Sequence, residues 1–173
     1  THPFTQNPKG LYEPIDYILN LGGKRMRPVG LLMSYAVFKD DFEIALPAAY
    51  AIEIFHNFTL VHDDVIDDAP LRRKQPTVHE KWNLNTAILS GDVMLVYAYE
   101  YLLKTGNKDC LDEVIKTFNK AAIEVCEGQQ YDVDFETQGN VKIEEYLKMI
   151  ELKTSDMLAA AMKIGALFAG ASM

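Results

Sequence analysis

A chain of 173 residues, 49% of them hydrophobic, is long enough and apolar enough to bury a core of its own. With 17 basic residues against 25 acidic ones, the formal net charge is −8. That balance excludes a nucleic-acid surface, which needs a basic stripe, but leaves room for a small anionic ligand at a local basic cluster.

The first ten residues are polar and hold two prolines, so no secretory signal is read there. The stretch 157–173 comes nearest to a membrane span, but Lys163 interrupts it and it is too short. No transmembrane segment is expected. Cys110 and Cys126 lack metal-ligand spacing and read as small buried side chains in a reducing, cytoplasmic setting.

Hydrophobic periodicity is helical almost throughout. A first helix is predicted over 13–21, stopped by the C-cap pair Gly22-Gly23, and a second over 28–38. Asp40-Asp41 make a turn into a long helix over 42–67, with Pro47 tolerated near its start. Residues 69–80 read as a polar loop without a hairpin signal. Helices follow over 84–104, 109–131 and 143–169, separated by the turn signals Gly106-Asn107 and Gly139-Asn140. There is no repeat or linker, and the fold class is all-α.

The informative stretch is His62-Asp63-Asp64-Val65-Ile66-Asp67-Asp68. On a helix Asp63 and Asp67 are four apart and share a face. Their oxygens are hard ligands suited to Mg²⁺ shared with a phosphate group; the plainer reading is a solvated acidic helix end. Arg72 and Arg73 follow, and guanidinium forks suit phosphate oxygens. The plainer reading pairs them with Asp67 and Asp68. Upstream, Gly22-Gly23-Lys24-Arg25-Met26-Arg27-Pro28 joins a permissive backbone to three cations at a helix start, which suits a second anion. His56, two turns before Asp63 on roughly the same face, suits either a phosphate contact or a structural role.

These residues resemble a known family, the trans-type polyprenyl diphosphate synthases. Residues 22–28 are similar to its GGKRxRP motif. HDDVIDDAPLRRKQPTVH at 62–79 resembles its first aspartate-rich motif with a basic tail. Ser90-Gly91-Asp92, Glu127-Gly128-Gln129 and Lys153-Thr154 fall where it has further signatures. One departure lies at Gln75, where the family usually has a glycine just before or at the lysine position.

The resemblance implies a helical bundle of the isoprenoid synthase type around a central apolar cavity. The implied activity is a prenyltransferase that condenses an allylic prenyl diphosphate with isopentenyl diphosphate, head to tail, and releases diphosphate. Mg²⁺ is the implied cofactor, with Asp63 and Asp67 as ligands and Asp64 in support. Lys24, Arg27, His56 and Arg73 are implied to bind isopentenyl diphosphate. Arg72, Lys153, Thr154 and Gln129 are implied to serve the allylic substrate, with Asp132 beside them. The catalytic set is thus Asp63, Asp64, Asp67, Arg72 and Lys153. Phe58 and Thr59, with Phe55 deeper, are implied to floor the channel and set a short- to medium-chain product; plain core packing is the other reading for the rings.

At least one of Tyr97, Tyr99 and Tyr101 reads as core or interface, because residues two apart cannot share a helix face. The family is usually homodimeric, and 84–104 is the expected contact helix. The family's second aspartate-rich motif is not found, and the chain stops inside an apolar pattern. We therefore expect 1–173 to be the N-terminal part of one isoprenoid synthase domain, inactive by itself. Two rivals are a class I terpene cyclase, which needs no isopentenyl site, and a non-catalytic partner subunit, which often loses metal-site acids.

Overall fold

The structure, a computed structural model, describes residues 4–171. Its helices are α1 (Lys9–Asn20), α2 (Met26–Ala36), α3 (Leu46–Ile66), α4 (Val78–Lys81), α5 (Leu84–Lys104), α6 (Leu111–Thr137), α7 (Ile143–Ile150) and α8 (Asp156–Phe168). A 3₁₀ turn, Phe42–Ala45, leads into α3, and a π turn, Glu151–Ser155, joins α7 to α8. The two-residue strands β1 (Leu71–Arg72) and β2 (Gln75–Pro76) pair antiparallel between α3 and α4. The all-α expectation holds, and α5 has the predicted bounds.

Two compact units divide the chain. The first holds residues 1–25 and 50–101, the second 26–49 and 102–173.

In the first unit α1 buries Ile15 and Ile18, α3 buries Ile52, Phe55 and Val61, and α5 buries Ala87, Met94 and Ala98. Apolar burial of this kind is the main stabilising term, about 1.5–3 kcal/mol per large side chain. The buried Ser90 hydroxyl donates to Leu11 O at 2.9 Å, tying α5 to α1. The rings of Tyr12 and Tyr97 meet edge-on across the same pair of helices, with centroids 6.4 Å apart. Gly91 on α5 lets the His62 ring lie against its Cα, where a Cβ would collide.

In the second unit α8 packs on α2 and α6, and the π turn packs on α6. Gly165 of α8 lies against the backbone of Leu31 in α2, so closely that a Cβ would strike the Leu31 carbonyl. Tyr35, Phe118, Ile164 and Phe168 fill the core.

Three expectations are corrected. The loop over 69–80 is a tight hairpin. Its two turn residues, Arg73 and Lys74, take φ of 53° and 66°, the left-handed pair of a type I′ turn. Neither is Asn or Gly, so the sequence carries no hairpin signal. Cys126 is exposed and Cys110 half-buried, rather than both buried; both are free thiols. The most membrane-like segment is Phe42–Ile66, not 157–173, whose last two residues lie outside the described ones. Its most apolar 18-residue window has a mean hydropathy of 1.4, and 56% of that window is buried inside the protein, as suits a core helix. Among the described residues it is the one helix long and apolar enough to cross a membrane.

Candidate active site

The first unit gathers most of the expected charged residues. α3 ends at Ile66, and Asp67 continues its bonding for one residue through its N–H to Asp63 O at 2.9 Å. The chain then turns at Asp68, whose φ of 48° breaks the helix, and the hairpin folds back on the last turn of α3. Thr77 closes the base of this loop: its buried hydroxyl donates to Ala69 O at 2.8 Å and its N–H to Pro70 O at 3.2 Å.

Folding back brings Arg72 onto the acids. Its Nε donates to Asp64 Oδ1 and Oδ2 at 2.9 and 2.8 Å, its Nη2 lies 2.7 Å from Asp64 Oδ1, and the same Nη2 reaches Asp63 Oδ2 at 3.3 Å. Asp64 is 1% exposed. Burial opposes the charge on Arg72, but its bonds to Asp64 and the charges of Asp63 and Asp67 outweigh this and raise its pKa. The plain alternative, pairing with Asp67 and Asp68, therefore fails for Arg72. Asp67 is exposed, whereas Asp63 is 18% exposed, with Oδ1 buried and Oδ2 accepting from Arg72.

Arg73 joins the two basic clusters. Its guanidinium donates to Gly22 O and lies against Gly23, whose φ of 141° favours glycine and whose Cβ would crowd the guanidinium. Arg25 turns inward to Glu53 on α3 and to Leu19 O. Burial first, then the neighbouring Arg25 charge, push the Arg73 pKa below the usual guanidinium value, with Glu53 in partial opposition. Lys24 is exposed. Glu53 was not anticipated; only its place on the face of α3 that meets the basic loop explains it. His56 is half-buried. Phe55 is buried, and the half-buried Phe58 ring lies 5.5 Å from it and 4.7 Å from the His62 ring. The Thr59 hydroxyl is returned to its own helix, donating to His56 O at 2.8 Å.

The second unit gathers the rest. Gly128 of α6 touches the Lys153 backbone so closely that a Cβ would overlap it. This contact lies on the π turn, a helical irregularity that often marks a functional position. Lys153 Nζ pairs with Asp132 Oδ2 at 2.5 Å. Arg27 Nη2 approaches Thr154 O at 3.5 Å. The Gln129 side-chain nitrogen is buried and has no hydrogen-bond partner among the described residues, an uncommon state for an amide.

Acids and guanidiniums held together on an all-helical scaffold of this topology define a protein of the isoprenoid synthase fold. A crystal structure of a geranylgeranyl pyrophosphate synthase matches with a TM-score of 0.93 and 51% identity, over 96% of this chain and 51% of that one. The chain belongs to the polyprenyl synthetase family, whose sequence profile matches residues 8–173. A geranylgeranyl diphosphate synthase of Methanosarcina mazei is 45% identical over 95% of this chain and 51% of its own length. A geranylfarnesyl diphosphate synthase of Natronomonas pharaonis is 41% identical over 95% of this chain and 53% of its own. The chain thus spans about half the length of these curated relatives.

Proposed function

We propose that this chain is the N-terminal part of a prenyltransferase that condenses an allylic prenyl diphosphate with isopentenyl diphosphate to give a short- to medium-chain polyprenyl diphosphate. The observation that carries the reading is the arrangement of Arg72 and Arg73. One guanidinium is held by Asp64 beside Asp63, and the other lies on the glycines of the basic loop, next to Arg25.

Asp63 and Asp67 fit a magnesium ion. Both are carboxylates, four residues apart at the end of α3, whose oxygens are hard ligands, while Asp64 is committed to Arg72. When bound there, Mg²⁺ supplies Lewis-acid stabilisation of the departing diphosphate. Arg72 adds positive charge where negative charge grows on the leaving group. Lys24, Arg27, His56 and Arg73 bind the diphosphate of the second substrate. Lys153, Thr154 and Gln129 serve the allylic substrate, with the Gln129 nitrogen as a spare donor. Phe58, Thr59 and Phe55 bound the hydrocarbon channel. Ionisation breaks the allylic C–O bond, the isopentenyl double bond attacks, and the proton lost goes to the released diphosphate.

The exposed side chains of Leu84, Ile88, Leu89 and Val96 on α5 suit a homodimer contact. The setting is cytoplasmic.

The test is condensation of radiolabelled isopentenyl diphosphate with allylic diphosphates, by the protein extended past Met173 to the length of its relatives. We expect Mg²⁺-dependent product, and a loss of 10²-fold or more in Asp63→Asn and Asp67→Asn. The 1–173 chain alone is expected to be inactive. Product formed only by cyclising the allylic diphosphate, without isopentenyl incorporation, would replace this reading by a terpene cyclase. Phe58→Ala is expected to lengthen the product; an unchanged distribution removes Phe58 from the channel floor.

A further inference from the structure

Asp68, His79 and Glu80 stand together at the foot of the hairpin, apart from the acids assigned above. His79 Nε2 lies 3.9 Å from Asp68 Oδ1 and 3.9 Å from Glu80 Oε1. One ligand atom from each residue falls within 4.8 Å of the other two. The two carboxylates are exposed, 97% for Asp68 and 52% for Glu80, whereas the His79 side chain is only 9% exposed. Both its ring nitrogens are buried without a hydrogen-bond partner among the described residues.

A buried polar nitrogen left unsatisfied is costly, about 1–3 kcal/mol, and uncommon. Here one such nitrogen faces two carboxylates at a spacing slightly too long for direct bonding. A cation between the three would serve all of them. Its bonds to nitrogen and oxygen would be about 2.0–2.2 Å, which asks the freely exposed carboxylate arms to close by about half an ångström to one ångström. Mixed nitrogen and oxygen donors favour a first-row transition dication over Mg²⁺, which prefers oxygen alone.

We propose that Asp68, His79 and Glu80 form a transition-metal site, distinct from the Asp63–Asp67 pair, of the kind Zn²⁺ occupies with three protein ligands and an open position. Asp68 follows the end of α3 and His79 lies in α4. A metal there clips the two ends of the loop that presents Arg72 and Arg73. The Thr77 bonds already draw these ends together, so the site needs little ordering of the backbone.

The test is a Zn²⁺ titration, in excess Mg²⁺, of the protein extended past Met173 to the length of its relatives, read by calorimetry and by the ring ¹⁵N resonances of His79. We expect one saturable site, a shift at His79 Nε2, and a melting temperature raised by Zn²⁺. Asp68→Asn and Glu80→Gln remove exposed carboxylates and leave the fold intact, so they are the decisive variants. Each is expected to weaken Zn²⁺ roughly tenfold or more. Unchanged affinity in both variants overturns the site. So does a Zn²⁺ response that survives His79→Gln, or one that is lost in Asp63→Asn and kept in Glu80→Gln.

Discussion

The Arg72 region of the first unit and the Lys153 region of the second solve one problem by opposite means. Each must hold a cation at a fixed place, and each gives it a carboxylate: Asp64 for Arg72, Asp132 for Lys153. In the first, a regular helix stops and a hairpin with two left-handed residues carries the cation back to it. In the second the helix never stops but widens for five residues, and the widened turn rests on a glycine. The lesson is that backbone irregularity, rather than the charged residue alone, fixes where the charge stands. Asp64 is nearly inaccessible and Asp132 is 40% exposed, so the first pair is the more structural.

Removing the anchors should separate the two. Asp64→Ala leaves Arg72 half-buried without its main partner and is expected to cost about 3 kcal/mol in a denaturant titration. Asp132→Ala, in the more solvated pair, should cost less than about 1 kcal/mol. Equal costs would erase the distinction.

Gly128→Ala drives a methyl into the Lys153 backbone and is expected to destabilise by about 1–3 kcal/mol, with the π turn shifted. A crystal structure of the variant with the turn unmoved would mean that α6 gives way instead. Lys74→Gly should act in the other direction. It relieves a left-handed lysine, at the loop where the family has glycine, and is expected to gain up to about 1 kcal/mol, part of it lost to unfolded-state entropy.

A further effect is alkaline. Burial first, and then Tyr12, push Tyr97 up to about 12. A phenol whose folded value exceeds its unfolded one, about 10, adds stability that is complete below pH 10 and lost as pH rises through 12. The melting midpoint should therefore fall over that window, and fall less in Tyr97→Phe. Identical profiles would assign the loss to other tyrosines.

The helices were legible because their apolar periodicity is long and unbroken, as α5 shows. The acids and bases of the first unit were legible as motifs. What each binds was not: Arg25 looks like Lys24 and Arg27 in the sequence, yet it turns inward to a glutamate a long way along the chain. The hairpin was hidden because Arg-Lys is not a turn pair. The π turn was hidden because one wider turn leaves no trace in a 3.6-residue pattern. Asp68, His79 and Glu80 are scattered across a loop, and only the closing of its ends brings them together.

Gly165 against Leu31 carries a consequence for synthesis. The first unit has all its strands of chain once Tyr101 has left the ribosome, and its helices can then pack. The second begins at α2, yet α2 packs on α8, whose contact glycine is made long after Leu31. The face of α2 that meets α8 must therefore wait for its partner while α3 to α7 are made, a stage at which a chaperone has something to hold.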